Sequence, residues 1–446
     1  MLNVNTTSKL IAIALLMGSS AIATAADFSQ LGTTLTPLGA EKKGNAAGTI
    51  PEWTGGITKP PAGFDRKVDI IDPYADDKII LTINAANMEQ HKDKLAPGQM
   101  EMMKRYPTYK MNVYPTRRSA AFRPQVYEAI KAEAPLIKLA DGGNGVLNIK
   151  KSTVPFPIPT TGIEVIWNHI FRDLGGSIIR YSADFPVQTN GTYTVGKRIE
   201  RISFASTMSD AEPNRLLYFQ NEITAPANAA GEVALVHEPI DQVKETRSAW
   251  LYNPGQRRVL RAPELAYDSP GIGADGLRTN DDLNGFNGAP DRYNWKLLGK
   301  KEMYVAYNNF KMVSRKLKYT DIVKKDHINP DVARYELHRV WVVEATLKPG
   351  KSHIYSKRVF FIDEDTWAIL HGDQYDGRGG LWRVREIFGT PAYEVPTFGG
   401  SGEVLYDLQS RRYLVNALTN EEKPIEFGQK FTLGDFSPSS LRRSGR

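Results

Sequence analysis

Residues 334–348 alternate apolar and polar side chains with a period of two. Tyr335, Leu337, Trp341, Val343, Ala345 and Leu347 fall on one face, and Glu336, His338, Glu344, Thr346 and Lys348 on the other, with Arg339 the exception on the apolar side. That spacing predicts a half-buried β-strand. Pro349-Gly350 then turns the chain into 353–362, Asp363-Glu364-Asp365 turns it into 367–375, and Asp376-Gly377 ends the run. The segment reads as an antiparallel meander with one dry and one wet face. A two-residue turn at Pro349-Gly350 sets His338 opposite Phe361, and a turn at Glu364-Asp365 places Arg358 between Trp341 and His371 as a cation–π row.

Period-two segments also occupy 193–204, 215–223, 233–243 and 248–252, punctuated by Asn190-Gly191, Pro213-Asn214, Ala230-Gly231 and Pro254-Gly255. Three helical spacings precede them. They are 84–106, interrupted by Pro97-Gly98; 123–139, with Pro124 in the first turn; and 162–174, where Ile163, Ile166, Trp167 and Ile170 form one stripe. Residues 27–67 are rich in Gly, Thr and Pro and show neither period, so 27–83 is expected to be an extended arm pinned by Trp53 and Phe64. The expected fold class is mainly β with α. One domain spans 84–446, with helices mostly in 84–174 and antiparallel strands mostly in 177–436.

The 446 residues include no cysteine, which excludes disulfides, thiolate metal sites, thiol nucleophiles and a lipidated cysteine. Residues 1–26 carry one charge, Lys9, ahead of an apolar run and the small-residue stretch Ala23-Thr24-Ala25. This is the pattern of a cleavable export signal, too short to span a bilayer, and it implies the periplasm of a Gram-negative cell. No transmembrane span follows. The net charge of +7 comes from dispersed basic residues with acids between them, which argues against nucleic acid as a partner. The three arginines of 441–446 are compatible at most with resting on anionic headgroups.

Catalytic signatures are absent: no H-E-x-x-H, G-x-S-x-G or S-x-x-K occurs, and no catalytic residue is assigned. The acidic turn Asp363-Glu364-Asp365 reads as solvent-exposed turn chemistry rather than a general-acid pair. The most metal-like stretch sets Asn280, Asp282, Asn284 and Asp291 at positions one, three, five and twelve of a calcium-loop template, with Gly285 at six. Asn at the first position, Asp at the last and the neighbouring Pro290 depart from the template, so Asx-rich turn chemistry is the competing reading and no cofactor is expected. The meander aromatics are either core or the wall of a cavity for an apolar ligand. Under the second reading Trp341, Val343, Leu347, Trp367 and Trp382 are the candidate wall.

Several long motifs resemble a known family: 35–41 (LTPLGAE), 49–56 (TIPEWTGG), 252–259 (YNPGQRRV) with Arg261-Ala262-Pro263, 293–304 (YNWKLLGKKEMY), and 334–367, beginning RYELHRVWVVEATL. The resemblance is to a Gram-negative periplasmic family known as domain of unknown function 1329. It implies a fold similar to the lipoprotein carriers LolA and LolB, a half-barrel sheet wrapped around helices with a cavity for acyl chains. It also implies company with an outer-membrane-associated protein and an inner-membrane exporter of the resistance-nodulation-division type. The expected function is a soluble periplasmic carrier for lipid or another hydrophobic molecule, not an enzyme. The alternatives are a periplasmic scaffolding factor that binds protein partners and, resting on Asn280–Asp291 alone, a calcium-assisted hydrolase.

Overall fold

The computed structural model describes residues 26–262 and 267–444; the expected export signal, residues 1–26, lies outside them but for its last residue. Eighteen strands are formed among the described residues. Those that open the chain are β1 (Leu81–Ile83), β2 (Met111–Val113), β3 (Lys138–Leu139) and β4 (Val146–Leu147). The middle supplies β5 (Ile178–Val187), β6 (Gly196–Phe204), β7 (Arg215–Ala225), β8 (Val233–Pro239), β9 (Ser248–Asn253) and β10 (Arg258–Arg261). Then come β11 (Tyr293–Ala306), β12 (Tyr335–Leu347), β13 (Lys357–Asp363), β14 (Ile369–Tyr375), β15 (Leu381–Pro391), β16 (Phe398–Asp407), β17 (Arg412–Leu418) and β18 (Glu426–Phe427). Sixteen form one sheet in the order β1-β2-β12-β13-β14-β15-β16-β17-β5-β6-β7-β8-β9-β10, with β11 also on β12 and β18 also on β5. Among the described residues every pairing within this sheet is antiparallel except the contact of Val113 with Tyr335. The path runs from β1 to β10 without closing, so the fold is an open sheet rather than a barrel, mainly β with few helices.

Three helices of two to three turns pack on it. Helix α1 (Pro97–Arg105) starts only at Pro97, because proline lacks the N–H a helix interior needs; the preceding turn, Met88–Lys94, is 3-10. Helix α2 (Pro124–Glu133) stops short of the expected 139, with Pro135 following, and Lys138–Leu139 becomes a strand. Helix α3 (Gly162–Phe171) is capped reciprocally: Glu164 N–H donates to Thr161 Oγ1 at 3.4 Å and Thr161 N–H to the Glu164 carboxylate at 3.0 Å. A Cβ at Gly162 would lie 3.0 Å from the backbone of Lys296, so glycine lets α3 settle directly on β11. None of the helices is long and apolar enough to cross a membrane, among the described residues.

The meander forms, but its registers and its wet face differ from expectation. The β12–β13 connection is longer than two residues, so Trp341 faces Ile362 and Ala345 faces Arg358. His371 faces Phe361 rather than Arg358. The cation–π row is therefore not formed, and Arg358 instead lies over Phe286, Tyr293 and Tyr355. Glu336 and His338 are buried, because the N-terminal arm and the 115–118 segment cover that face. Burial there is tolerated because charges meet charges: Arg334 pairs with Asp77 and Glu336, Arg118 with Asp365, and Arg339 with Glu364. The acidic turn at 363–365, expected in solvent, is buried by the same contacts. In the arm, Trp53 Nε1 donates to the Ala120 carbonyl at 3.1 Å and Phe64 meets Tyr393 edge-on.

Candidate functional site

Strands β5 to β8 send alternate side chains into a cavity of about 260 Å³, close to the lower end of small-molecule sites, roughly 300–1,000 Å³. Strand β5 supplies Ile178 and Arg180, β6 Arg198, Glu200, Ile202 and Phe204, β7 Leu217, Phe219 and Asn221, and β8 Ala234, Val236 and Glu238. Each is two residues from the next on its strand, as one pleated face requires. The register sorts them into rows. Ile178, Ile202, Phe219 and Val236 lie opposite one another in turn, an apolar stripe four strands wide. One step along, Arg180, Glu200 and Asn221 form a polar row that ends on Ala234, and Arg198 lies one step beyond it. The wall is amphipathic along the strand direction.

The opposite wall is built from the end of α3, the segment preceding β11, and the arm. Helix α3 delivers Ile170 and then Arg172, a cation at the helix C-terminus where the peptide dipoles favour positive charge. The 267–292 segment delivers Arg278, Asn280, Leu283, Asn284 and Phe286. It is clamped from behind. Asp281 accepts from Arg358 at 2.8 Å and meets His353 at 3.1 Å; Asp282 accepts from Tyr355 at 2.9 Å and Gln374 at 2.6 Å and pairs with Arg385. The Arg278 guanidinium packs directly against Gly271, where a Cβ would stand 2.8 Å from its guanidinium carbon. Phe64, Arg66 and Ile70 of the arm complete the lining.

Seven arginines but only two glutamates, Glu200 and Glu238, line the cavity. Arg180 binds Glu200 in two hydrogen bonds, 2.6 and 3.1 Å, and Arg198 pairs with Asp184 and Glu200. Burial raises Glu200, but Arg180 and Arg198 outweigh it and hold the carboxyl at about 2. Burial keeps Glu238 above the usual carboxylate range, with Arg247 opposing. Two arginines are placed differently. Arg172 donates to its own helix at the His169 carbonyl, 2.6 Å, and burial pulls its guanidinium down to about 9, still a cation at neutral pH. Arg278 donates to the Thr279 carbonyl at 3.2 Å and is also lowered by burial.

The residues singled out from the sequence sit elsewhere or act otherwise. Trp341, Val343, Leu347, Trp367 and Trp382 do not line this cavity. Trp341 stacks on Trp367 with centroids 6.1 Å apart, Val343 is core, Leu347 packs against that core, and Trp382 donates to Asp407 at 3.0 Å. Of the calcium-loop positions, Asn280 and Asn284 face the cavity. Asp282 is held by the arginines, and Asp291 accepts from Tyr267 at 2.8 Å and pairs with Lys351. The four aim at separate partners. The described residues contain one group with metal-like spacing, the buried His338, Asp363 and Asp365, whose ligating atoms lie within 4.8 Å of one another. Arg118 already takes both oxygens of Asp365, at 2.6 and 2.9 Å, and Glu336 takes His338, so two of the three are already committed to other protein groups.

An uncharacterised protein of Pseudomonas aeruginosa, PA3922, is 50% identical over 442 residues, covering 98% of this chain and 97% of that one. Among solved structures, a putative outer membrane lipoprotein-sorting protein domain from Vibrio parahaemolyticus aligns with TM-score 0.45 and 16% identity over 63% of this chain and 98% of its own. The LolA superfamily protein NE2245 from Nitrosomonas europaea aligns with TM-score 0.39 and 13% identity over 63% and 98%. The model of a protein of unknown function, DUF1329, matches residues 82–442. This chain belongs to the DUF1329 family.

Proposed function

We propose that this protein is a periplasmic carrier that takes a hydrophobic molecule, a lipid or a compound of similar character, into the cavity over β5 to β8. The observation that carries the reading is the apolar stripe Ile178–Ile202–Phe219–Val236 facing an internal space. A row of large apolar side chains in a folded protein normally meets other side chains; here it meets volume. An apolar molecule leaving water for such a space gains roughly 25 cal/mol for each Å² of apolar surface it buries. The exporter and outer-membrane protein implied by the sequence resemblance are the candidate donor and acceptor of the cargo.

The test is retention of lipid. Protein purified from its native host is extracted with organic solvent and analysed by mass spectrometry, beside a Val236→Phe variant that fills the apolar end. Carrier function predicts a stoichiometric lipid in the wild type and its loss in a variant that melts no lower. Equal extracts from both proteins would remove the cavity from the account.

A further inference from the structure

Guanidinium groups taken out of water are costly unless an anion accompanies them. Most cavity arginines have one. Arg180 and Arg198 share Glu200, Arg198 also has Asp184, Arg247 has Glu238 and Arg66 has Glu394. Arg315, only half-buried, donates to the Glu422 carbonyl instead. Arg172 and Arg278 are buried and have no such partner. They are 5% and 6% exposed, their bonds go to the His169 carbonyl and imidazole and to the Thr279 carbonyl, and the Nε of each is buried with no acceptor. Both feel the same carboxylate, Glu403, but that group is already committed to Arg385 and Asn416. Arg278 also feels Asp282, already committed to Arg358 and Arg385, and Glu200, already committed to Arg180 and Arg198. The interior therefore offers two desolvated cations and spare donors beside an apolar surface, with no anion of its own to match them.

We infer that the cargo is an amphiphile with an anionic head, carboxylate or phosphate, received by Arg172 and Arg278 while its tail lies along Ile178, Ile202, Phe219 and Val236. This rests on the carrier reading and specifies its ligand class. A planar guanidinium suits both head groups, because its paired N–H donors match two oxygens at once. The bound anion supplies the acceptors that both Nε groups lack, so binding and neutralisation coincide. A cationic head is repelled by the same pair. A neutral head leaves the two guanidiniums as they are and gains only what its tail gains.

The experiment measures displacement of the neutral fluorophore N-phenyl-1-naphthylamine from the full chain by decanoate, decyl phosphate, decanol and decyltrimethylammonium. The tail is held constant, so differences report the head. Decanoate and decyl phosphate are expected to compete about tenfold or more better than decanol, the scale of one charge-assisted hydrogen bond, and decyltrimethylammonium worst. Arg172→Gln and Arg278→Gln should each erase that preference, weakening decanoate and decyl phosphate far more than decanol, and the Lys variants should restore part of it. The rank of decyl phosphate against decanoate distinguishes a phospholipid-like from a fatty-acid-like source. Decanol competing as well as decanoate in the wild type overturns the head-group assignment and leaves the carrier reading standing. Failure of the fluorophore and all four probes to bind overturns both. If Arg172→Gln does not fold, Arg278→Gln and the wild-type comparison of decanoate with decanol still decide.

Discussion

Arg180 and Glu200 face each other in register on neighbouring strands of the cavity wall and join through two hydrogen bonds, the shorter 2.6 Å from Arg180 Nε to Glu200 Oε2. Glu200 also serves Arg198 and accepts from Ser182 at 3.2 Å. One buried carboxylate thus compensates two guanidiniums. Glu200→Gln keeps the shape and removes the charge, and breaking a buried pair in this way costs about 3–5 kcal/mol. Because Glu200 is held at about 2, below its ordinary 4.5, its contribution is complete above 4.5 and disappears as the pH falls from there through about 2. Urea midpoints of wild type and Glu200→Gln should therefore differ widely at pH 7 and converge toward pH 3. A gap that stays constant with pH would show that Glu200 ionisation does not support the fold.

The arm is tied to the body by a second pair. Trp367 is fully buried, stacks on Trp341 at an interplanar angle of 13°, and donates from Nε1 to the Leu38 carbonyl at 3.0 Å. Trp367→Ala removes the ring, the stack and the tie, and is expected to cost about 3–5 kcal/mol. Trp367→Phe keeps most of the buried area and loses the hydrogen bond, for about 1 kcal/mol. Chemical denaturation measures both, and limited proteolysis reads the tie separately. Cleavage around Leu38 should accelerate in both variants, and in Trp367→Phe it should do so with little change in global stability. Unchanged arm cleavage in both would mean that other contacts, such as the Arg118 bonds to the Glu41 and Lys42 carbonyls, suffice.

The strands were legible wherever one face stays polar. Period two marks β12 because Glu336, His338 and Glu344 interrupt its apolar residues. Much of β15 is buried on both faces, and its Arg383, Arg385 and Glu386 are buried inside ion pairs and hydrogen bonds, so hydropathy alternation carries no information about which way each side chain points. The same confusion displaced the expected site. Arg198-x-Glu200-x-Ile202-x-Phe204 places charged and apolar residues in the same phase, which reads as weak alternation but describes an amphipathic wall. The tryptophans of the meander gave a stronger apolar signal and lie outside the cavity lining. Only the pairing of β6 with β5 and β7 shows that the apolar and charged positions form separate rows. Arg172 carried no signal at all, since an arginine at a helix C-terminus is ordinary on a solvated surface.

A third prediction concerns the buried cluster beneath the arm. Burial, reinforced by Asp365 and opposed by His338, lifts Asp363 from 3.8 to about 7. For His338 burial acts downward, but the bond to Glu336 at 3.1 Å and the charge of Asp363 outweigh it and raise the imidazole above 6.5. Both groups bind protons more tightly in the folded chain than in the unfolded one. The Asp363 contribution is present below about 4 and is lost as the pH rises to about 7; the His338 contribution is present below 6.5 and is lost as the pH passes its raised value. The two losses add, so Tm should fall between pH 5 and pH 8. Asp363→Asn carries no charge to desolvate and can still accept from Thr366 Oγ1, which now lies 2.7 Å from the carboxylate. Calorimetric melting across that range should give a flatter slope for the variant and a Tm at pH 8 at or above that of the wild type. Parallel slopes would mean that Asp363 ionises in the folded chain as it does in the unfolded one.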